Sequence, residues 1–430
     1  MVNLSELNVG RRGLLLGGLS AGVLGLAGCG GPAPKAAAGD ESGELTVVTP
    51  IFEGNDGKQL LEKLMADFTK QHPKITVRAD YTSYSKLNEK LTTSIVGGKP
   101  YDIMIMGAGW VPPFATKNVL MDLEMDKAKL AAQYNERVLS AGIYEDKVYG
   151  LPIMLDTRFG YYRKDFFEKA GLDPAKPPTS FAEMREFARK LTVRSGGKLT
   201  RAGLDILSLD IRQVFEPLMW AAGGELFTPD GKAAFNSAEG VAGLQFMADI
   251  ILTDKSEDFG FSEPLAATGV PIVQGRAAMM LGHNNTWLEF EASNPTLITE
   301  DKVGFFVITD ERPALLQGGS MATVAARTKL PNAAKALATY LASPEPALAA
   351  CEQRGNVPAA LSSADSAYVK GNEAVQFAVA NLEYAYSEGG VPNWLDIRGD
   401  FKAAIESVLL GQTSAQKALD ELATKADSKR

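Results

Sequence analysis

Cysteine and histidine are nearly missing from this chain of 430 residues, which has only Cys29, Cys351, His72 and His283. A zinc site of four cysteines or three histidines is therefore excluded, and a mixed site would need all four, Cys29 included. Cys351 reads as a small buried apolar residue. The G-x-S-x-G turn of a serine hydrolase is absent, and neither cysteine stands in a nucleophile signature. Positive charge is also in short supply: 44 Lys and Arg against 52 Asp and Glu leave a net charge of -8. Such a chain is not steered toward phosphate backbones, which disfavours nucleic acid as a partner. Long apolar runs are lacking too. Mean hydropathy is -0.06, and the stretch from Leu14 to Ala27 falls short of the ~20 residues a spanning helix needs. No metal and no cofactor are expected, and no residue is nominated as catalytic.

What is present begins with a leader. Arg11 and Arg12 precede the apolar stretch, which ends in Leu26-Ala27-Gly28-Cys29. The stretch suits a secretory signal, and its end resembles the lipobox of bacterial lipoproteins. That resemblance implies a lipoprotein signal peptide over residues 1–28 and a lipid anchor on Cys29. Residues 29–43, rich in Gly, Pro and Ala, read as a flexible tether. Gly10-Arg11-Arg12-Gly13 partly fits twin-arginine export and equally fits a plain positive leader. Either route puts the protein outside the cell, held at the outer face of the cytoplasmic membrane.

The remaining length exceeds one compact core, since single cores stop growing at roughly 250–300 residues. From Glu44 onward strands and helices alternate: strands at Leu45–Pro50, Ile75–Ala79 and Tyr101–Met106, helices at Lys58–Gln71 and Ser85–Val96. This order implies a parallel, helix-covered sheet. In such sheets the ligand crevice lies beyond the carboxyl ends of the strands, which nominates the loops 52–57, 81–85 and 107–110. Helices dominate from Phe181 to Leu252, Ala277–Leu281 and Lys302–Ile308 are strand-like, and Phe401–Lys425 reads as amphipathic helices.

Several pieces then recur in a telling order. Tyr101-Asp102-Ile103, Gly150-Leu151-Pro152-Ile153, Tyr161-Tyr162-Arg163-Lys164-Asp165-Phe166-Phe167, Ala277-Ala278-Met279-Met280, Gly318-Gly319, Asn356-Val357-Pro358 and Asn393-Trp394 together resemble the family 1 extracellular solute-binding proteins of the maltose-binding type. Arg163 departs from the Asn or Asp usual there. The resemblance implies an α/β, two-lobed periplasmic-binding-protein type II fold, each lobe a mainly parallel sheet flanked by helices, with a hinge between lobes. It places lobe 1 at 44–155 plus 305–343 and lobe 2 at 156–304 plus 344–430. It also implies a monomer that captures a carbohydrate-like small molecule for the permease subunits of an ABC importer.

A sugar site needs aromatic platforms and charged or amide groups aimed at hydroxyls. Asp156 follows the crossover strand, where the family carries a ligand carboxylate, and Arg158 points to the same side of an extended segment. Phe52, Asn55 and Asp56 lie in the first nominated loop, although Asp56 equally suits a helix cap. Tyr84 and Trp110 lie in the next two loops and could stack on a ring or pack as core. The resemblance adds Asn284 and Asn285, with Trp287 just beyond. Gly318, Gly319 and Ser320 offer backbone N–H groups. Trp394 and Arg398 share a face if their segment is helical, and Arg398 could fork two hydroxyls or a phosphate. Trp220 is a weaker candidate.

Other readings stay open. A glycerophosphodiester or other anionic sugar derivative would suit Arg398. A secreted glycosidase could use a carboxylate pair such as Asp156 and Asp396. The tyrosine pair Tyr161-Tyr162 is read as two faces of a strand rather than as metal ligands.

Overall fold

The computed structural model describes residues 41–262 and 269–430. The leader, Cys29 and residues 29–40 of the tether lie outside the described residues. Glu41, read as tether, is fixed: its carboxylate accepts hydrogen bonds from the backbone N–H groups of Asn332 and Ala333 at the start of a helix, where an anion complements the helix dipole.

The expected β-α-β-α-β opening is present as β1 (Gly43–Thr49), α1 (Gly54–Gln71), β2 (Ile75–Tyr81), α2 (Tyr84–Val96) and β3 (Ile103–Gly107). β1 runs parallel to both β2 and β3. Helical spacing puts Leu61, Leu64, Met65 and Phe68 of α1 on one buried stripe. β3 is apolar throughout and fully buried, as a strand covered on both faces must be.

The chain continues through β4 (Gly150–Arg163), β5 (Lys198–Asp205), α3 (Ile211–Ala221), α4 (Ala238–Ala248), β6 (Ala277–His283), β7 (Val303–Phe306) and β8 (Pro313–Val324). It ends with α5 (Pro331–Leu341), α6 (Pro344–Arg354), β9 (Val357–Pro358), β10 (Ala385–Ser387), α7 (Trp394–Ile397), α8 (Asp400–Leu409) and α9 (Ala415–Asp427). The strand order is β2-β1-β3-β8-β4-β6-β5, with the short strand Val193–Ser195 at the edge beyond β5. Parallel pairing, expected to predominate in each lobe, joins among the described residues only β1 with its neighbours, β5 with β6, and β8 with β10. The long strands β4 and β8 run antiparallel to each other and to most of their other partners.

These two strands join the halves of the molecule. The end of β8 pairs with β3, while Arg158–Tyr162 of β4 pair with β6. Between these regions Asp156 sits opposite Gly318, and Thr157 opposite Gln317. Both strands therefore run from one end of the sheet to the other through one place. Phe306, Ile308, Ala314 and Leu316 share a core cluster with α3, α4 and the C-terminal helices. α6 buries Ala347, Ala350 and Cys351 in the cluster that holds the apolar stripe of α1 and packs on α1 and α5. A third crossing comes at β10, which lies parallel to Leu315–Gln317, before α7 to α9 join the second half.

Glycine is required within β4 itself. A Cβ at Gly160 would lie 2.1 Å from the ring of buried Phe306. We expect Gly160→Ala to destabilise the fold by about 1–3 kcal/mol through overpacking, read as a lower urea midpoint at unchanged slope.

Candidate functional site

A cavity of about 510 Å³ opens at the crossing point. Its floor is the crossing itself: Met154, Asp156 and Arg158 of β4, and Gly318, Gly319 and Ser320 of β8. The first half contributes Ile51 after β1, Tyr84, Ser85 and Asn88 from the first turns of α2, and Gly107, Ala108 and Trp110 after β3. The second half contributes Gln213 of α3, His283 at the end of β6, and Leu395 and Arg398 around α7. Arg354, Asn356 and Glu388 complete the lining. The ends of β1 and β3 thus face the cleft, as the rule for parallel strands requires.

Gly319 has φ +147°, and a Cβ there would lie 2.4 Å from the Met154 carbonyl oxygen. At Gly318 a Cβ would press on the Arg158 guanidinium at 2.9 Å. The two glycines are needed because the strands cross tightly where charged side chains also pass.

Charges in the cleft are paired. Asp156 lies 3.2 Å from Arg158 Nη1 and 3.1 Å from His283 Nδ1. Arg158 also donates to the Asp156 carbonyl at 2.6 Å and to Gln213 Oε1 at 2.8 Å. Burial would raise the Asp156 carboxyl, but Arg158 and His283 outweigh it and hold the group well below the ordinary carboxylate range. Glu388 accepts a hydrogen bond from Arg212 and has Arg398 Nη1 at 3.9 Å. Burial again works to raise its carboxyl, and the two guanidinium groups bring it below its usual value. Arg354 is tied to the Ile51 carbonyl and to Glu53, at 3.1 and 3.2 Å. Three polar atoms of the lining, Arg158 Nε, Arg354 Nε and Asn356 Oδ1, are buried without a hydrogen-bond partner. Native structures rarely orphan such groups away from a functional site.

The aromatic content is small. Tyr84 stands edge-on to Trp110, with centroids 6.4 Å apart, and its hydroxyl meets Ser320 Oγ at 2.6 Å. Burial pushes that hydroxyl up to about 12. Trp110 is 5 % exposed and serves the core cluster around Val48 and Leu87 as well as the cavity. The Arg398 guanidinium lies over its ring, 5.6 Å from the centroid.

Of the residues nominated from sequence, the structure gathers Tyr84, Trp110, Asp156, Arg158, Gly318, Gly319, Ser320 and Arg398 around this cavity. It places the others elsewhere. Phe52 is buried in the core. Asn55 and Asp56 are exposed in the first turn of α1. Asn284 is fully buried as a clamp between strands, accepting from the Thr157 N–H at 2.7 Å and donating to the Gly355 carbonyl. Asn285 precedes the next helix outside the lining. Trp287 packs among Phe290 and Phe305, Trp394 among Phe227 and Phe401, and Trp220 stacks on Tyr386. Asp396, the second carboxylate of the glycosidase reading, lines a different groove. Sequence reasoning passed over Gln213, His283, Arg354, Asn356 and Glu388. Two had a legible signal: His283 is next to the nominated Asn284, and Asn356 begins the Asn-Val-Pro motif.

The diacetylchitobiose binding protein of Streptomyces coelicolor is 24% identical over 93% of this chain and 94% of its own length. The galactooligosaccharide-binding protein of Bacillus subtilis is 22% identical over 94% and 93%. Among solved structures, the GacH receptor of Streptomyces glaucescens, determined unliganded and with acarbose, superposes with a TM-score of 0.76 at 22% identity, covering 90% of this chain and 98% of the receptor. The fold is thus the two-lobed, maltose-binding type. The profile of bacterial extracellular solute-binding proteins matches residues 53–348. With most of its length matching that profile, and with one cleft at the crossing of its two longest strands, the chain belongs to the bacterial extracellular solute-binding protein family.

Proposed function

We propose that this protein captures a neutral saccharide between its lobes and delivers it unchanged to the permease of an ABC importer. The observation that carries this reading is the cleft lining: ion-paired carboxylates and guanidinium groups beside one small aromatic corner. Such pairs offer strong acceptors and donors to hydroxyls without leaving net charge for an ion. The named sugar-binding relatives support the same class. The ligand residues are the eight nominated ones that line the cleft, joined by Gln213, His283, Arg354, Asn356 and Glu388. Closure follows from hinge motion at the Asp156–Gly318 crossing, and ligand favours the closed form only by binding it more tightly. Export as a monomer on a lipidated Cys29 completes the proposal.

Three arginines in the lining keep an anionic sugar derivative as the second reading, but each already faces a carboxylate. A glycosidase is disfavoured because Asp156 and Glu388 are both held ionised, which leaves no protonated carboxyl to act as general acid. A thermal-shift series with neutral mono- and oligosaccharides, uronic acids and glycerophosphodiesters tests the choice. Bound ligand at 100 times Kd stabilises by about 2.7 kcal/mol. We expect upward shifts only with neutral sugars. Shifts confined to the anions would replace this reading with the second.

A further inference from the structure

Beside the cleft lies a second cavity of about 520 Å³, and Arg398 lines both. The first turn of α3 forms the rest of the partition: Gln213 faces the first cavity, while Asp210, Ile211 and Arg212 face the second. Lys402 and Glu406, 3.7 Å apart on α8, close the far side. Phe259 stands in the second cavity with 43% of its surface exposed. Among the aromatic side chains of the described residues, only Tyr84 and Phe259 are left this open. Each lines one of the two cavities that meet at Arg398.

The loop that presents Phe259 is built to hold it. Gly260 takes φ +79° at the turn. On either side the chain is anchored: Glu257 and Ser262 are fully buried, Ser262 Oγ lies 3.1 Å from Glu257 and 3.2 Å from Asp205, and the Phe261 carbonyl accepts from Arg276. An exposed aromatic face fixed in advance, with a carboxylate and an ammonium across the gap, is what a sugar ring requires, and ordering it beforehand saves entropy on binding.

Resting on the saccharide reading above, we propose that this second cavity is a distal subsite in which Phe259 stacks on further rings of the same ligand, so that the physiological cargo is an oligosaccharide extending past Arg398. The test is calorimetric titration of the purified protein with maltose, chitin and β-galactan oligomers from monosaccharide to hexasaccharide, using the wild type, Phe259→Ala and Phe259→Trp. Phe259 is exposed, so the variants should fold normally, checked by circular dichroism. In the series that binds, affinity should rise about tenfold or more once the chain outgrows the first cavity. Phe259→Ala should cancel that rise and leave the shortest binding member unchanged, and Phe259→Trp should restore it. Length-independent binding, or equal weakening of all lengths by Phe259→Ala, overturns the subsite and leaves the saccharide reading standing. Absence of binding by every series overturns both.

Discussion

Asp156→Ala weakens saccharide binding by at least about 100-fold. The carboxylate sits at the crossing of the two strands, 28% exposed and turned to the cavity, so that it reaches ligand only where both halves meet. Arg158 and His283 hold it ionised, and hydrogen bonds to a charged partner contribute about 1.5–3 kcal/mol each. Removal also leaves the buried Arg158 guanidinium without its counter-ion in a closed, water-poor site, a loss of roughly 2–5 kcal/mol in comparable cases. A tenfold change in Kd corresponds to about 1.4 kcal/mol, so two orders of magnitude is the lower end. The fold itself survives, because Arg158 keeps the Asp156 main-chain carbonyl and Gln213 as acceptors. Acid should have little effect by comparison. A carboxyl depressed well below its ordinary value stays ionised while free carboxylates titrate, so wild-type affinity should not fall with a midpoint near pH 4 through this group. Calorimetric titration of wild type and variant at neutral and at mildly acidic pH checks both statements. A variant that binds within threefold of wild type would remove Asp156 from the site.

Much of this was legible in the amino-acid order, for physical reasons that differ by element. α1 and β3 could be read because one carries its apolar residues at helical spacing and the other is a short apolar run stopped by glycine. Asp156 was reached through the family resemblance and Gly318 and Gly319 only as backbone donors, because the register that sets Asp156 opposite Gly318 exists only once the two strands pair. The partners of that crossing were hidden. Gln213 and Arg354 are ordinary polar residues until the first turn of α3 and the end of α6 deliver them to the same cavity. The tryptophans misled in the opposite sense: Trp287 and Trp394 stand near ligand loops in sequence, yet both are at most 2% exposed, since a large aromatic is stabilised more by burial than by waiting for a sugar. Phe259 was missed because nothing local marks an exposed phenylalanine. Its significance comes only from the cavity that it faces.

The buried charges behind the cleft wall should dominate stability. Arg212 is 2% exposed and donates to Glu216 at 2.6 Å and to Glu388, linking α3 to the third crossing segment. In Arg212→Met the side-chain volume is retained while both carboxylates lose their shared cation. Breaking a buried pair in this way costs about 3–5 kcal/mol, a large part of the 5–15 kcal/mol typical of whole proteins. Glu216 also gives stability a pH dependence. Burial pushes its carboxyl up to about 7 against the pull of Arg212, so the folded state binds this proton more tightly than the unfolded chain does. The contribution is therefore complete below the ordinary glutamate range of about 4.3 and is lost as pH rises toward 7. Glu216→Gln cannot titrate there, so its stability should decline less across that window than the wild type's, the remaining decline coming from groups such as Asp205 and Glu257, whose carboxyls burial also raises. Urea unfolding of wild type, Arg212→Met and Glu216→Gln at about pH 5 and pH 8 separates the two effects. A decline of equal size in wild type and Glu216→Gln would assign the titration to other groups, and an Arg212→Met midpoint close to wild type would show that the carboxylates take up protons at little expense.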